Sequence, residues 1–441
     1  MRQQINSFKS LKDFEKSNLQ ALTNIHLQLK NFDFNSEQLD ALNASLKQCC
    51  KLEHLALDLY NNQSYSNTYE QQELPTKPKK REQRKILRDF LQYDTISNLA
   101  NLKRLELNLS GNSINDTDAF TISTVIGRFK KLTNLNLQFW NNAISDIGIS
   151  NIAVGISYCF NLTVLTLNIG KNQFGSEAAF YIGRVLSACK QLIYLDLNIS
   201  QSQNQIDDGE ASAIREGLNS CQLLTYLRFQ LWENQIGDAE ASQIGQGLSN
   251  CTQLTKLQFC MSKNQIGNEG ASAIGRALSN YKLLTYLEFS LCQNQIGNEG
   301  ACAIGRAISN YKLLTNLSFF LEENQISDAG ASQIGQGLSN CIHLTYFYFD
   351  MSKNQIGNEG ACAIGRAISN YKLLTNLQFY LQENQIGDAG ASQIAQGLSN
   401  CTQLTNLQFF MGTNQIGNEG ACAIGRALSN YKLLTNLRFY L

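Results

Sequence analysis

The sequence predicts an α/β solenoid of about fourteen 30-residue units, each a short strand followed by a helix. Three observations carry that expectation. A leucine recurs at 22, 52, 102, 132, 162, 192, 224, 254, 284, 314, 344, 374, 404 and 434, with 20 extra residues after 52 and two after 192. Behind that leucine apolar and polar residues alternate. In the clearest unit Leu377, Phe379 and Leu381 fall on one side, and Asn376, Gln378, Tyr380 and Gln382 on the other, as in a strand with one buried face. A helical stripe follows, Ala391, Ile394 and Leu398, with Asp388 before it as the expected N-cap. One strand and one helix cannot bury their apolar faces alone, so such a unit is stable only when stacked on copies of itself.

Residues 1–21 form a lead-in. Phe8, Leu11, Phe14 and Leu19 are spaced for a helix that would cover the open end of the first strand. The array then runs over 22–441. Its first two units are divergent, with His26 and His54 at outward strand positions. Residues 61–80 interrupt it and hold both prolines of the chain, Pro75 and Pro78, which predicts a surface loop. Between Lys77 and Arg88 stand seven basic residues and one acid. The expectation is a solvated loop leading into a helix; the sharper alternative is a nuclear-localisation or acidic-partner patch.

From 102 the units are regular. The sixth strand position is Leu107, Leu137, Leu167 and Leu197, then switches to Phe229 and stays Phe through Phe439. The two-residue insertion near Gln201–Gln203 falls just before the switch. The block GNEGACAIGRAISNYKLLTNL occurs at 297 and again at 357, a sign of duplication of several units at once. The chain stops at Leu441 as a fourteenth strand forms, so the array is expected to lack its C-terminal cap.

Composition narrows the function classes. Hydrophobic residues make up 43% of 441, enough for a continuous core, and charged residues only 16%, against about 25% in average proteins. Lys+Arg and Asp+Glu balance at 36 each, leaving no global field for nucleic acid or an anionic membrane. The N-terminus has no apolar signal region and no stretch of 18 apolar residues exists, so a cytoplasmic protein is expected. Among thirteen cysteines, Cys159, Cys189, Cys221, Cys251, Cys341 and Cys401 precede the pattern leucine by three, where Tyr281, Tyr311, Tyr371 and Tyr431 stand in other units. A position that accepts Cys or Tyr is used for packing, not ligation. His343 stands where other units have Gln or Leu, and neither a P-loop nor an HExxH motif is present. The expectation is a non-enzyme without metal or cofactor.

The pattern carried by Leu374, Leu377, Phe379, Asn384, Ile386, Gly390, Ala391, Ile394 and Leu398, and by their equivalents, resembles a leucine-rich repeat of the ribonuclease-inhibitor-like type. The resemblance covers roughly residues 20–441. It implies a horseshoe with a parallel sheet on the concave side, helices on the convex side, and binding in general. Asn384 lies seven residues after Leu377, two more than in the ordinary motif, so Leu381 and a neighbour are expected to lengthen the strand. The Asn column can satisfy backbone groups along the turn, and the recurring helix glycines, such as Gly360 and Gly365, suggest close helix packing.

The outward strand positions differ most between otherwise near-identical units. Exposed aromatics and arginine on a fixed sheet are what recognition surfaces use. The candidate partner-binding residues are therefore Trp140, Tyr194, Tyr226, Arg228, Trp232, Tyr286, Phe320, Tyr346, Tyr348, Asp350, Tyr380 and Phe410. The bland alternative is drift at exposed sites filled by good strand formers. Charges alternate at the strand exits, from Glu323 through Lys353 to Glu383, and predict ion pairs between neighbouring units. The reading is a protein-binding scaffold or recognition module acting through the concave face. The alternatives are a GTPase-activating regulator, with Arg104 or Arg128 as the acting arginine, or a detached sensor region of a larger receptor or kinase. Ribonuclease inhibition is opposed by a neutral, Asn/Gln-rich face, because basic ribonucleases favour acidic partners.

Overall fold

Each repeat folds as its alternation requires: a five-residue strand, a turn, and a helix that returns the chain to the start of the next strand. The computed structural model describes residues 5–30, 36–60, 99–175, 177–201 and 208–441. The interruption at 61–80, the basic run at 77–88 and most of the insertion after residue 200 lie outside these residues. The chain divides into two compact units, Met1–Asn204 and Gln205–Leu441.

In the first unit the described strands are β1 (Asn6–Phe8), β2 (Asn24–Gln28), β3 (His54–Asp58), β4 (Arg104–Asn108), β5 (Asn134–Gln138), β6 (Val164–Asn168) and β7 (Tyr194–Asn198). They pair in parallel and in chain order. Its helices are α1 (Leu11–Glu15), α2 (Ser36–Gln48), α3 (Asp116–Ile126), α4 (Asp146–Ser157) and α5 (Glu177–Ala188).

In the second unit the strands are β8 (Tyr226–Gln230), β9 (Lys256–Cys260), β10 (Tyr286–Ser290), β11 (Asn316–Phe320), β12 (Tyr346–Asp350), β13 (Asn376–Tyr380), β14 (Asn406–Phe410) and β15 (Asn436–Tyr440). These too are parallel and in order. Between them lie α7 (Asp238–Leu248), α8 (Asn268–Leu278), α9 (Asn298–Ile308), α10 (Asp328–Leu338), α11 (Asn358–Ile368), α12 (Asp388–Leu398) and α13 (Asn418–Leu428), with α6 (Asp208–Ser220) before β8. The expected α/β leucine-rich-repeat solenoid is the observed fold.

The lead-in differs from the expected single helix. Asn6–Phe8 pairs with β2 as one further strand, and the short helix α1 follows. The Phe8 ring packs at 5.3 Å on Phe14, which is fully buried. Backbone pairing satisfies the edge of β2, which a helix laid across it would have left open.

Exact register aligns like with like. Leu377 pairs with Leu407, and Phe379 with Phe409. The inward Phe column becomes a stack: successive rings from Phe259 to Phe439 lie 5.4–6.0 Å apart and nearly parallel. Rings at that spacing gain about 0.5–1.5 kcal/mol beyond area burial.

The Asn column performs its predicted task. Asn384 Nδ2 donates to Met351 O of the preceding repeat at 3.0 Å and to Leu381 O of its own at 3.1 Å, while Oδ1 accepts from Ile356 N at 3.0 Å. The residue before it turns the chain: Lys353, Glu383 and Thr413 have φ of 54°, 53° and 58°. The two extra motif residues do not lengthen the strand, which ends at Tyr380. They form the turn instead, with Leu381 N bonded to Phe410 O and Glu383 N to Gly412 O.

Asp388 is not the N-cap of its own helix. That position is Gly387. The Asp388 carboxylate instead accepts from Gly417 N and Gly420 N, both at 2.8 Å, and so caps the helix of the following repeat. Asp328 does the same for Gly357 and Gly360, and Asn358 for Gly387 and Gly390. The recurring glycines mark backbone contact between helices, as expected: a Cβ at Gly365 would lie 2.6 Å from Gln393 O of the next helix.

Candidate interaction surface

Outward strand side chains stand on the sheet face opposite the helices, where no further layer among the described residues covers them. The second unit carries most of the candidates. In register, Phe320, Asp350, Tyr380 and Phe410 occupy one outward column. Asp350 is too short to continue a ring column. Tyr348, one outward position earlier on the same strand, leans into the gap. Its ring lies 4.6 Å from Phe320 and 5.1 Å from Tyr380, and Tyr380 stacks on Phe410 at 5.0 Å with an interplanar angle of 5°. The result is a continuous four-ring ladder of half-buried side chains across β11 to β14. Diagonal neighbours on a sheet are within reach of aromatic side chains. Tyr380 Oη donates to Gln408 Oε1 at 2.9 Å, which fixes its ring from the far side.

A second constellation adjoins it. Tyr226 Oη donates to Gln258 Oε1 at 2.5 Å, Gln258 Nε2 to Glu288 Oε2 at 2.6 Å, and Tyr286 Oη to the same carboxylate oxygen at 3.3 Å. Gln378 Nε2 donates to Tyr346 Oη at 3.1 Å. Burial, and then neighbouring Tyr380, pushes the Tyr348 phenol well up. Burial, followed by the charge of Glu288, raises Tyr286. Burial likewise raises the Asp350 carboxyl, against a hydrogen bond from Ser352 N at 3.0 Å.

The structure thus joins Phe320, Tyr348, Tyr380 and Phe410 in one stack beside Asp350, and ties Tyr226 to Tyr286. Arg228 and half-buried Trp232 lie on β8 and just beyond it. Trp140 and Tyr194 belong to the first unit. Trp140 lies against the next repeat's backbone, for a Cβ at Gly170 would come within 2.5 Å of its ring. Sequence reasoning missed Gln258, Glu288 and Gln408. The available signal was their shared outward column, in which amides and carboxylates stand next to tyrosines.

The face is neutral over the second unit, where Arg228, Lys256 and Arg438 balance three acids, but its charges are unevenly placed. The outward positions of β10–β13, four per repeat counting the residue two beyond each strand, hold Glu288, Glu322 and Asp350 and no Lys, Arg or His. At the strand exits, Lys353 pairs with Glu323 and, at 3.1 Å, with Glu322. Both acids come from the preceding repeat, whereas one on each side was expected. Turn geometry carries Lys353 back toward β11. His54 keeps its expected outward register position but is buried there, and its Nε2 lies 3.0 Å from Glu106 Oε1, which holds the Glu106 carboxyl below its usual range.

The Cys/Tyr column has a function in the helices. Tyr371 Oη donates to Leu338 O at 3.0 Å, and Cys401 Sγ lies 3.4 Å from Ile368 O. Each satisfies a carbonyl at the C-terminal end of the preceding helix. Burial pushes the Cys251, Cys341 and Cys401 thiols up to about 12, which suppresses thiolate chemistry. Among the described residues no group of three His, Cys, Asp or Glu could hold a metal ion, and no helix is long and apolar enough to cross a membrane.

Residues 251–275, 340–365 and 374–395 match the family model described as Leucine Rich repeat. These three stretches are leucine-rich repeats. The chain is similar to the solved structure of a leucine-rich-repeat protein of Leptospira interrogans, at 18% identity over 98% of this chain and 100% of that one, with a TM-score of 0.49. A search of curated proteins found no match.

Proposed function

We propose that this leucine-rich-repeat chain is a non-enzymatic scaffold that binds a protein partner on the open face of its sheet. The ring ladder of Phe320, Tyr348, Tyr380 and Phe410 carries the reading. Its rings are held on a backbone that the Asn column and the Phe stack make rigid, so little ordering is left to do on association. Aromatic side chains dominate the energetics of protein interfaces. The ribonuclease-inhibitor-like subtype is part of the proposal, supported by one helix per repeat.

The test is affinity capture with the intact chain and with Trp232, Tyr348 and Tyr380 replaced together by Ala. Circular dichroism checks that the variant remains folded. The expected result is depletion of the captured proteins, with capture unchanged when Glu299 and Glu359 on the helices are replaced by Gln. An identical partner set for wild type and triple variant would refute the proposal.

A further inference from the structure

We infer that the patch formed by β10–β13 recognises an extended protein segment bearing arginine or lysine side chains. This rests on the reading that the open face binds protein, and it names the chemistry of the partner. Two independent features of the patch converge on it. The first is the ring ladder, an apolar strip beside Asp350 along which the aliphatic stem of an arginine or lysine can lie with its charged head at the acids. The second is the charge pattern. Three acids and no base occupy the outward positions of these four strands, on a chain whose charges balance overall. At the outward positions bases return at Lys256 and Arg228 on one side and Arg438 on the other, and Lys353, at the β12 strand exit, is paired with Glu322 and Glu323.

Glu322 is neutralised by Lys353. No base among the described residues forms an ion pair with Glu288 or Asp350. Glu288 is already oriented by Gln258 and Tyr286, and Asp350 by Ser352 N. Both are therefore positioned acceptors rather than free surface charges. Asp350 lies between Phe320 and Tyr380 in its column, so a cation that reaches its carboxylate also meets the rings. Phosphate-bearing partners and anionic lipid surfaces are repelled by the same charges.

The test uses the full chain and fluorescein-labelled octa-arginine, with octa-glutamate as the opposite probe, followed by anisotropy at physiological salt. Octa-arginine is expected to bind and octa-glutamate not to. Replacing Glu288→Gln and Asp350→Asn together is expected to weaken octa-arginine at least about tenfold. Tyr380→Ser interrupts the apolar strip and is expected to weaken it roughly threefold or more, whereas Tyr380→Phe keeps the ring and the affinity. The helix-face pair Glu299→Gln and Glu359→Gln is expected to change nothing. Equal binding of the two probes, or affinity unaffected by the strand substitutions, overturns the inference. If alanine at Trp232, Tyr348 and Tyr380 abolishes partner capture while octa-arginine ignores the patch, the face binds protein but the cationic preference is wrong. If both assays are unmoved, the scaffold reading falls with it.

Discussion

Thr413 is a β-branched residue at φ 58°, a conformation that costs an L-residue about 1–2 kcal/mol. Its side chain is exposed, so no packing is lost on removing it. In the repeat that begins at Leu102 the same turn position is Gly111, with φ 73°. Thr413→Gly should therefore stabilise the chain by up to about 1 kcal/mol in urea denaturation, relief of strain exceeding the added unfolded-state entropy of about 0.5–1 kcal/mol. Asp350 offers a pH-dependent counterpart. Burial raises its carboxyl pKa in the folded state, so the folded chain holds that proton more tightly than the unfolded one. The associated stability is fully present below the ordinary carboxyl value and is lost as pH rises through the folded-state value. Asp350→Asn removes the charge at similar size. It should stabilise the chain at neutral pH and flatten the decline in melting temperature between acid and neutral solution.

Helix contacts supply a matched pair of substitutions. Gly365 in α11 and Gly425 in α13 occupy the same helix position. A Cβ at Gly365 would meet Gln393 O at 2.6 Å, while one at Gly425 would meet nothing within 4 Å. Gly365→Ala should destabilise by about 1–3 kcal/mol through overpacking. Gly425→Ala should stabilise by up to about 1 kcal/mol through helix propensity. Thermal melts of the two variants should move in opposite directions. The element order, the buried faces and the Asn column were legible in the sequence because each recurs at a fixed position in every regular repeat. What was not legible depends on two repeats at once. Asp388 reads as the cap of its own helix because the sequence places it there; in three dimensions its carboxylate meets the amides of the next repeat. Tyr348 and Tyr380 stand in different outward columns, and only diagonal packing around Asp350 brings their rings together.

Neighbour dependence extends through the repeats of each unit. In a stack where a repeat touches only its neighbours, stability is approximately a sum of repeat terms and interface terms. Here the interface term has a direction. Asp328 stands in the first turn of α10 but accepts from Gly357 N at 2.8 Å and Gly360 N at 2.7 Å, so it caps α11. Without that carboxylate the first amides of α11 lose their acceptor, at a cost of about 0.5–2 kcal/mol. Its own helix loses only the weaker attraction between an acid and the N-terminal dipole, about 0.3–1 kcal/mol. Hydrogen exchange read by mass spectrometry separates the two. In Asp328→Ala, protection should fall more at residues 357–361 than at 327–331. Asp328→Asn should retain most of the protection, since Asn298 and Asn358 serve as the same acceptor elsewhere in the stack. Greater loss at 327–331 would show that Asp328 acts within its own repeat, and that helix capping adds nothing to the coupling already supplied by the sheet, the Asn column and the Phe stack.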